Sequence, residues 1–332
     1  MKKILTLTCA LMLCFVSCFC FIGCKNNEST KGKILLTEAT HSVFYAPLYV
    51  AINLGYMSDE GLDVEVTNGG GSDVCMTSLL SGAANVALMG PETVVYVEAS
   101  GSTNHPTVFG QLTKKDGTFL ISKTQYTNFD FSKDLNGKTA IVGRRGSMLS
   151  MTFEWLVNSK NVFNGKDVTL DMETSFPMMV SVFESTDAEF CTMFEPTASE
   201  FVASGKGYYV NSIGEESGEI PYTCFMAYPN YISQNKDNIE GFLRAIKKAY
   251  NYICSNPSSE VAKALKPSFD GTSLESLATA VEKYLEIDVW SSSPAMSKDS
   301  YNRLLSVLKN SKTLTEDVDF SKVVDNSIAN TI

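Results

Sequence analysis

Residues 41–92 read HSVFYAPLYVAINLGYMSDEGLDVEVTNGGGSDVCMTSLLSGAANVALMGPE. Pro47 predicts the opening of a helix, because its missing N–H costs nothing at a first helical position. Gly55 predicts that helix's end, since glycine adopts the left-handed conformation that closes helices. Leu62, Val64 and Val66 alternate with Asp63, Glu65 and Thr67, the period-two signature of a strand. Three glycines and Ser72 then lead into a second helix running to about Ser81. Val86, Ala87 and Leu88 form a short buried strand, and Gly90 and Pro91 turn the chain into a third helix. Polar or glycine-rich loops thus repeatedly join strands to helices. In an open α/β sheet the strand ends share one rim, where ligands bind. Helix N-termini present unpaired N–H groups there, which suit oxygen-bearing ligands. The stretch predicts a ligand cleft without naming the ligand.

Outward from it, Lys33 to Leu36 is a first strand, and Thr107 to Gly110 and Phe119 to Ser122 are further strands. The polar segment Lys123 to Asp134 is expected to cross to a second lobe. Thr139 to Val142 restarts the βα pattern, with Gly143-Arg144-Arg145-Gly146-Ser147 as its rim loop. Ser147 suits the N-cap of a helix through Val157. Further strands are expected at Val168 to Leu170, Ala188 to Met193 and Tyr208 to Val210, and a helix from Phe176 to Phe183. Tyr222 to Ala227 reads as the strand returning to the first lobe. In the helix predicted from Asn238 to Cys254, Ile239, Phe242, Leu243, Ile246, Tyr250 and Ile253 share one face. The rest is mostly helical, with Ala262, Leu265, Leu274, Leu277, Val281, Leu285, Leu304, Leu305 and Leu308 as packing residues. This alternation is that of an α/β fold.

The 332-residue length suffices for two lobes of common size. A formal charge of −10 argues against nucleic acid as a partner. Lys2 and Lys3 precede an apolar run from Ile4 to Ile22, the form of an export signal. Phe21-Ile22-Gly23-Cys24 resembles a bacterial lipobox, which implies cleavage before Cys24 and lipid on that cysteine. Cys75, Cys191, Cys224 and Cys254 are widely spaced without zinc-type spacing; two disulfides and four buried thiols both remain open. GxSxG, HExxH, GxxxxGK[ST] and GxGxxG are missing. The two histidines, His41 and His105, leave few options for acid–base chemistry. No cofactor and no metal are expected.

The P-L-Y-V-A…G-Y…E-G-L-D-V pattern, followed by S-L-L-S-G-A-A-N-V-A-L-M-G, resembles the SsuA/THI5-like (NMT1/THI5-like) substrate-binding lipoproteins of ABC transporters. The second lobe is similar to that family at Gly143 to Ser147, Asp187-Ala188, Phe194-Glu195-Pro196, Gly205-Lys206-Gly207 and Ile220-Pro221-Tyr222. The resemblance implies a periplasmic-binding-protein-like type II fold, with two α/β lobes joined by a hinge and a ligand cleft between them. The expected partition is a signal peptide over 1–23, a tether over 24–32, lobe I over 33–125 and 226–332, and lobe II over 126–225. It implies a monomeric extracytoplasmic receptor, held to the membrane through Cys24, that hands a small solute to an ABC permease and its ATPase.

The candidate ligand residues are His41, Tyr45, Gly70, Gly71, Ser72, Gly90, Glu92, Arg144, Arg145, Gly146, Ser147 and Glu195. Each has a plainer role as well. The glycines and Ser72 cradle a ligand oxygen or merely turn the chain. Glu92 accepts a ligand donor or favours the helix dipole. The arginines grip an anion or sit solvated, with one expected to face the cleft. Ser147 caps a helix, and Tyr45 stacks on a ring or packs. Glu195 faces the cleft or forms an interlobe salt bridge. Two carboxylates would repel a lone anion, so a thiamine-pyrimidine-like nitrogen heterocycle is favoured over an aliphatic sulfonate, taurine or nitrate. The rival class is a THI5-like pyrimidine synthase. Those enzymes carry C-C-C-F-C, whereas Tyr222-Thr223-Cys224-Phe225-Met226 keeps one cysteine. A sensory receptor is a third possibility.

Overall fold

The computed structural model describes residues 32–332. The expected signal peptide, Cys24 and the tether up to residue 31 lie outside them. The strands are β1 (Gly32–Glu38), β2 (Leu62–Asn68), β3 (Val86–Met89), β4 (Thr107–Thr113) and β5 (Thr118–Ser122). They continue with β6 (Thr139–Ile141), β7 (Thr169–Asp171), β8 (Phe190–Phe194), β9 (Tyr208–Ser212) and β10 (Thr223–Ala227).

Two five-stranded sheets share one topology, β2-β1-β3-β10-β4 and β7-β6-β8-β5-β9. In each, an inner strand pairs parallel with two neighbours: β1 with β2 and β3, and β6 with β7 and β8. Each also has one antiparallel strand second from an edge, β10 in the first sheet and β5 in the second. Both antiparallel strands stand immediately after a crossing between sheets. The expected α/β class with two lobes matches this architecture.

The crossing itself lies earlier than expected. β5 pairs with β8 and β9, so the chain leaves the first sheet within residues 114–117, not at Lys123 to Asp134. A lobe I ending at residue 125 would contain a strand of the other sheet. Likewise the 225/226 boundary cuts through β10, which lies wholly in the first sheet. The two crossings run side by side: Ile220 N–H donates to Lys114 O at 2.9 Å and Tyr222 N–H to Thr113 O at 3.2 Å. Residues 289–291 flank them, with Lys114 N–H on Val289 O at 2.8 Å and Ser291 N–H on Leu112 O at 2.9 Å. Asp116, buried in the first crossing, accepts from the Thr118 N–H at 2.7 Å and hydroxyl at 2.6 Å. Burial raises its pKa to about 6, against these donors.

The longer helices are α1 (Ala46–Asn53), α2 (Ser72–Ser81), α3 (Glu92–Ala99), α4 (Met148–Ser159), α5 (Lys236–Ser255), α6 (Ser258–Leu265), α7 (Leu274–Glu286) and α8 (Lys298–Asn310). Pro47 sits in the first turn of α1, as its chemistry requires. Ser147 caps α4, its hydroxyl accepting the Ser150 N–H at 3.3 Å. On α5, Ile239, Phe242, Leu243, Ile246 and Ile253 are buried while the lysines point outward. Each such side chain stabilises by roughly 1.5–3 kcal/mol. Leu274 departs from expectation: as the first residue of α7 it is exposed.

The tail does not belong to one lobe. α7 packs against the helix Thr197–Ala203 beside the second sheet, and α8 packs against α4. Met296 and Asn326 pair at 2.8 and 3.1 Å at the base of this excursion. Cys75, Cys191, Cys224 and Cys254 are all free thiols, so neither open disulfide forms, and Cys254 is exposed rather than buried. Among the described residues no helix is long and apolar enough to cross a membrane.

Candidate functional site

A cavity of about 320 Å³ lies between the sheets, at the small end of ligand pockets. Rim loops wall it from both sides. The first lobe supplies Ala39 and Thr40 after β1, Tyr45, Gly70 to Asp73 at the start of α2, and Gly90, Glu92, Thr93 and Tyr96 after β3. Tyr222 comes from the return crossing and Thr223 from the start of β10. The second lobe supplies Gly143 to Leu149, Phe176 and Phe194.

The first-lobe loops are tied together. Gly90 N–H donates to the Ser72 hydroxyl at 3.2 Å, and the Thr93 hydroxyl donates to Gly90 O at 2.8 Å. Gly90 is required by close approach. A Cβ there would sit 2.0 Å from Oε2 of Glu92, whose carboxyl folds back over it. In the second-lobe loop, Gly143 has φ +81°, a left-handed value that favours glycine. The Ser147 hydroxyl donates to Arg144 O at 2.7 Å, and Arg145 N–H to Met172 O at 2.7 Å. The backbone of the arginine loop is therefore fixed while both side chains are exposed. Arg244 is the arginine that forms ion pairs among the described residues; Arg144 and Arg145 form none.

One buried polar atom in this wall lacks a partner among the described residues, Glu92 Oε2. The Tyr222 hydroxyl faces the buried Asp116 carboxyl of the first crossing, not the cavity. Glu92 is 2% exposed. Burial raises its pKa to about 8, with its own backbone N–H opposing weakly. Tyr96, one helical turn beyond Glu92, donates its hydroxyl to Thr313 at 3.0 Å, linking the cavity wall to the tail.

Most predicted residues meet here: Tyr45, Gly70, Gly71, Ser72, Gly90, Glu92, Arg144, Arg145, Gly146 and Ser147 all line the cavity. Both arginines do so, where one was expected. His41 and Glu195 do not, and their expected ligand roles are corrected. His41 turns toward the tail, its Nδ1 2.9 Å from Glu38 and its Nε2 2.8 Å from Ser268 O, with its ring stacked on Phe269. The Glu38 hydrogen bond holds its pKa above the usual value. Glu195 is 1% exposed and turned into the second lobe. It accepts from the Ser199 N–H at 3.1 Å, the Ser199 hydroxyl at 2.5 Å and the Tyr209 hydroxyl. Among the described residues it forms no salt bridge.

Sequence reasoning missed Thr93, Tyr96, Phe176, Phe194 and Tyr222. Helical spacing offered one signal, because residues four apart share a face and Glu92 and Tyr96 are such a pair. Phe176 and Phe194 follow only from tertiary packing. Among the described residues no three His, Cys, Asp or Glu side chains gather to hold a metal. The site offers one buried carboxyl, aromatic faces, backbone N–H groups and two exposed guanidinium groups, a set suited to binding.

Fold and cavity together define a two-lobed binding-protein architecture of the type II kind. The chain belongs to the NMT1/THI5-like family, which matches residues 43–260. A Bacillus subtilis (strain 168) protein named "Putative binding protein YtlA" is 38% identical over 311 residues, covering 94% of this chain and 92% of its own. The ligand-binding component of an ABC-type import system from Staphylococcus aureus, solved with zinc bound, superposes with TM-score 0.70 at 13% identity. It covers 90% of this chain and 98% of that one. The alkanesulfonate-binding protein SsuA from Xanthomonas axonopodis pv. citri, bound to MOPS, gives TM-score 0.67 at 12% identity over 90% of this chain and 97% of that one. At these identities the structural likeness is one of fold.

Proposed function

We propose that this protein is the extracytoplasmic solute-binding component of an ABC importer, capturing a small solute between its lobes for a membrane permease and its ATPase. The observation that carries this is the cavity walled by both lobes, with a carboxyl unpartnered at Oε2 among the described residues buried in its wall. A solute touching both walls favours the closed arrangement through contacts made only when the lobes meet. Family membership and the relative spanning 94% of the chain support this reading.

The favoured solute is a flat nitrogen heterocycle of the thiamine-pyrimidine type. Tyr45, Tyr96, Phe176, Phe194 and Tyr222 provide aromatic surface for a ring. Two carboxylates do not face the cavity to repel an anion. Glu195 is outside the cavity, and Glu92, with its pKa near 8, is neutral at pH 7. Exposed Arg144 and Arg145 favour a second reading, a sulfonate, taurine or nitrate.

Binding without catalysis is the inference we favour over a pyrimidine synthase. Cys224, the cysteine left of the enzymes' motif, is fully buried and its thiol is pushed well up by burial. We further propose that Cys24 carries the lipid and that the protein acts as a monomer; metabolic labelling with palmitate, lost in Cys24→Ser, tests the anchor. The solute-binding reading is tested by thermal shift of the purified chain against 4-aminopyrimidine, flavin, taurine, alkanesulfonate and nitrate. A concentration-dependent rise with one class is expected; no rise with any of them contradicts it.

A further inference from the structure

Glu92 is an ionisable group without a charged partner among the described residues. Its side chain is 98% buried, its Oε2 is unpartnered among the described residues, and its carboxyl lies against Gly90 in the cavity wall. Buried polar groups in folded proteins are nearly always satisfied, and a lone buried charge is costly. The groups facing Glu92 are Tyr45 from the turn Val43–Tyr45, Tyr96 on α3, and Tyr222 and Cys224 from the return crossing and β10. None is a cation. Exposed Asp73, Arg144 and Arg145 line the same cavity, the arginines from the opposite lobe. Neither arginine pairs with this carboxyl in the described arrangement, which leaves its place open to a group of the solute.

We propose that Glu92 selects solutes bearing a protonated nitrogen, and that their capture expels one proton to solvent. This rests on the solute-binding reading above. The Glu92 O–H bond breaks, water takes the proton, and the resulting carboxylate accepts a hydrogen bond from the solute N–H⁺. The cavity thereby gains a hydrogen-bonded ion pair in place of a neutral acid. Such a pair is tolerated in a buried site where a lone carboxylate is not. The sign of the pH dependence follows. Burial holds the carboxyl neutral below about pH 8, so each pH unit gained below that point makes its ionisation about tenfold easier. Affinity for a protonated solute rises accordingly and then levels. An anion shows no such rise and is repelled once Glu92 ionises.

The test is calorimetric titration of the full chain with 4-aminopyridine, whose ring is protonated at neutral pH, and with benzoate, an anion of similar size. Titrations at pH 6.5 in two buffers of different ionisation heat count the protons released. The expected result is about one proton released per 4-aminopyridine and about tenfold tighter binding per pH unit. Glu92→Gln should lose about 30-fold or more in affinity together with the pH slope. Gly90→Ala places a methyl against the carboxyl and should weaken binding while leaving the acid in place. It carries the test should Glu92→Gln fail to fold. Absence of proton release, unchanged binding in both variants, or preference for benzoate at pH 6.5 overturns the proposal. If methanesulfonate or nitrate, anions without a nitrogen cation, binds while 4-aminopyridine does not, this inference fails and the solute-binding reading stands. If no probe binds or shifts the melting temperature, that reading fails as well.

Discussion

Glu92 and Glu195 occupy matching places, one in each lobe. Each follows a strand of a parallel pair, adjoins a proline and is at most 2% exposed. Their surroundings differ. Glu195 has three donors from Ser199 and Tyr209, whereas Glu92 Oε2 has none. The comparison teaches that a carboxyl at a strand end is a binding group only when the protein leaves it unsatisfied. Glu195 holds its own lobe together, and Glu92 is held ready for something else.

The largest effect that tests this contrast is on stability. Glu195→Ala strands three donors in a buried site and should cost about 4 kcal/mol in denaturant unfolding at pH 7. Solute affinity of the folded protein should change little, because Glu195 does not line the cavity. Glu92→Gln should behave oppositely. The folded pKa of Glu92, about 8, stands above its ordinary 4.5. Its stability contribution is full below pH 4.5 and declines as pH rises toward 8. The glutamine variant should therefore gain roughly 4 kcal/mol relative to the parent between pH 5 and 9, measured by urea midpoints across that range.

Smaller effects sharpen the same picture. Tyr96→Phe removes the hydroxyl bonded to Thr313 and should cost about 1 kcal/mol, read as a lower melting temperature. His41 belongs with Glu195 as an internally partnered group, but it is 41% exposed and water screens its pairing with Glu38. Its pKa is raised above 6.5 by that partner. The contribution is therefore present below pH 6.5 and lost as pH climbs through the raised value. His41→Gln should flatten this slope by about 0.5 kcal/mol, checked by melting curves from pH 5 to 9.

Much of the architecture was legible in the chain. Alternation at Leu62, Val64 and Val66, Pro47, Ser147 and the stripe on α5 are local signals that tertiary packing did not override. The crossing was misplaced because sheet membership is a matter of pairing. Phe119 to Ser122 reads as a strand in either lobe, and its partners in β8 and β9 lie about 70–90 residues onward. The glycine and arginine loops of the site were readable because they sit at strand-to-helix joints. Glu195 was misread because neighbouring sequence does not show which way a strand-end side chain turns. Ser199, four residues later on the helix it enters, is the sequence signal of internal capping.

The most direct measurement is mass spectrometry of the small molecules carried by the natively purified full chain, compared with a Ser72→Trp variant whose cavity is filled. The account predicts one small solute near one per chain, bearing a basic nitrogen, released on denaturation and absent from the filled variant. The same molecule retained in full by the filled variant would place the site elsewhere and contradict the account.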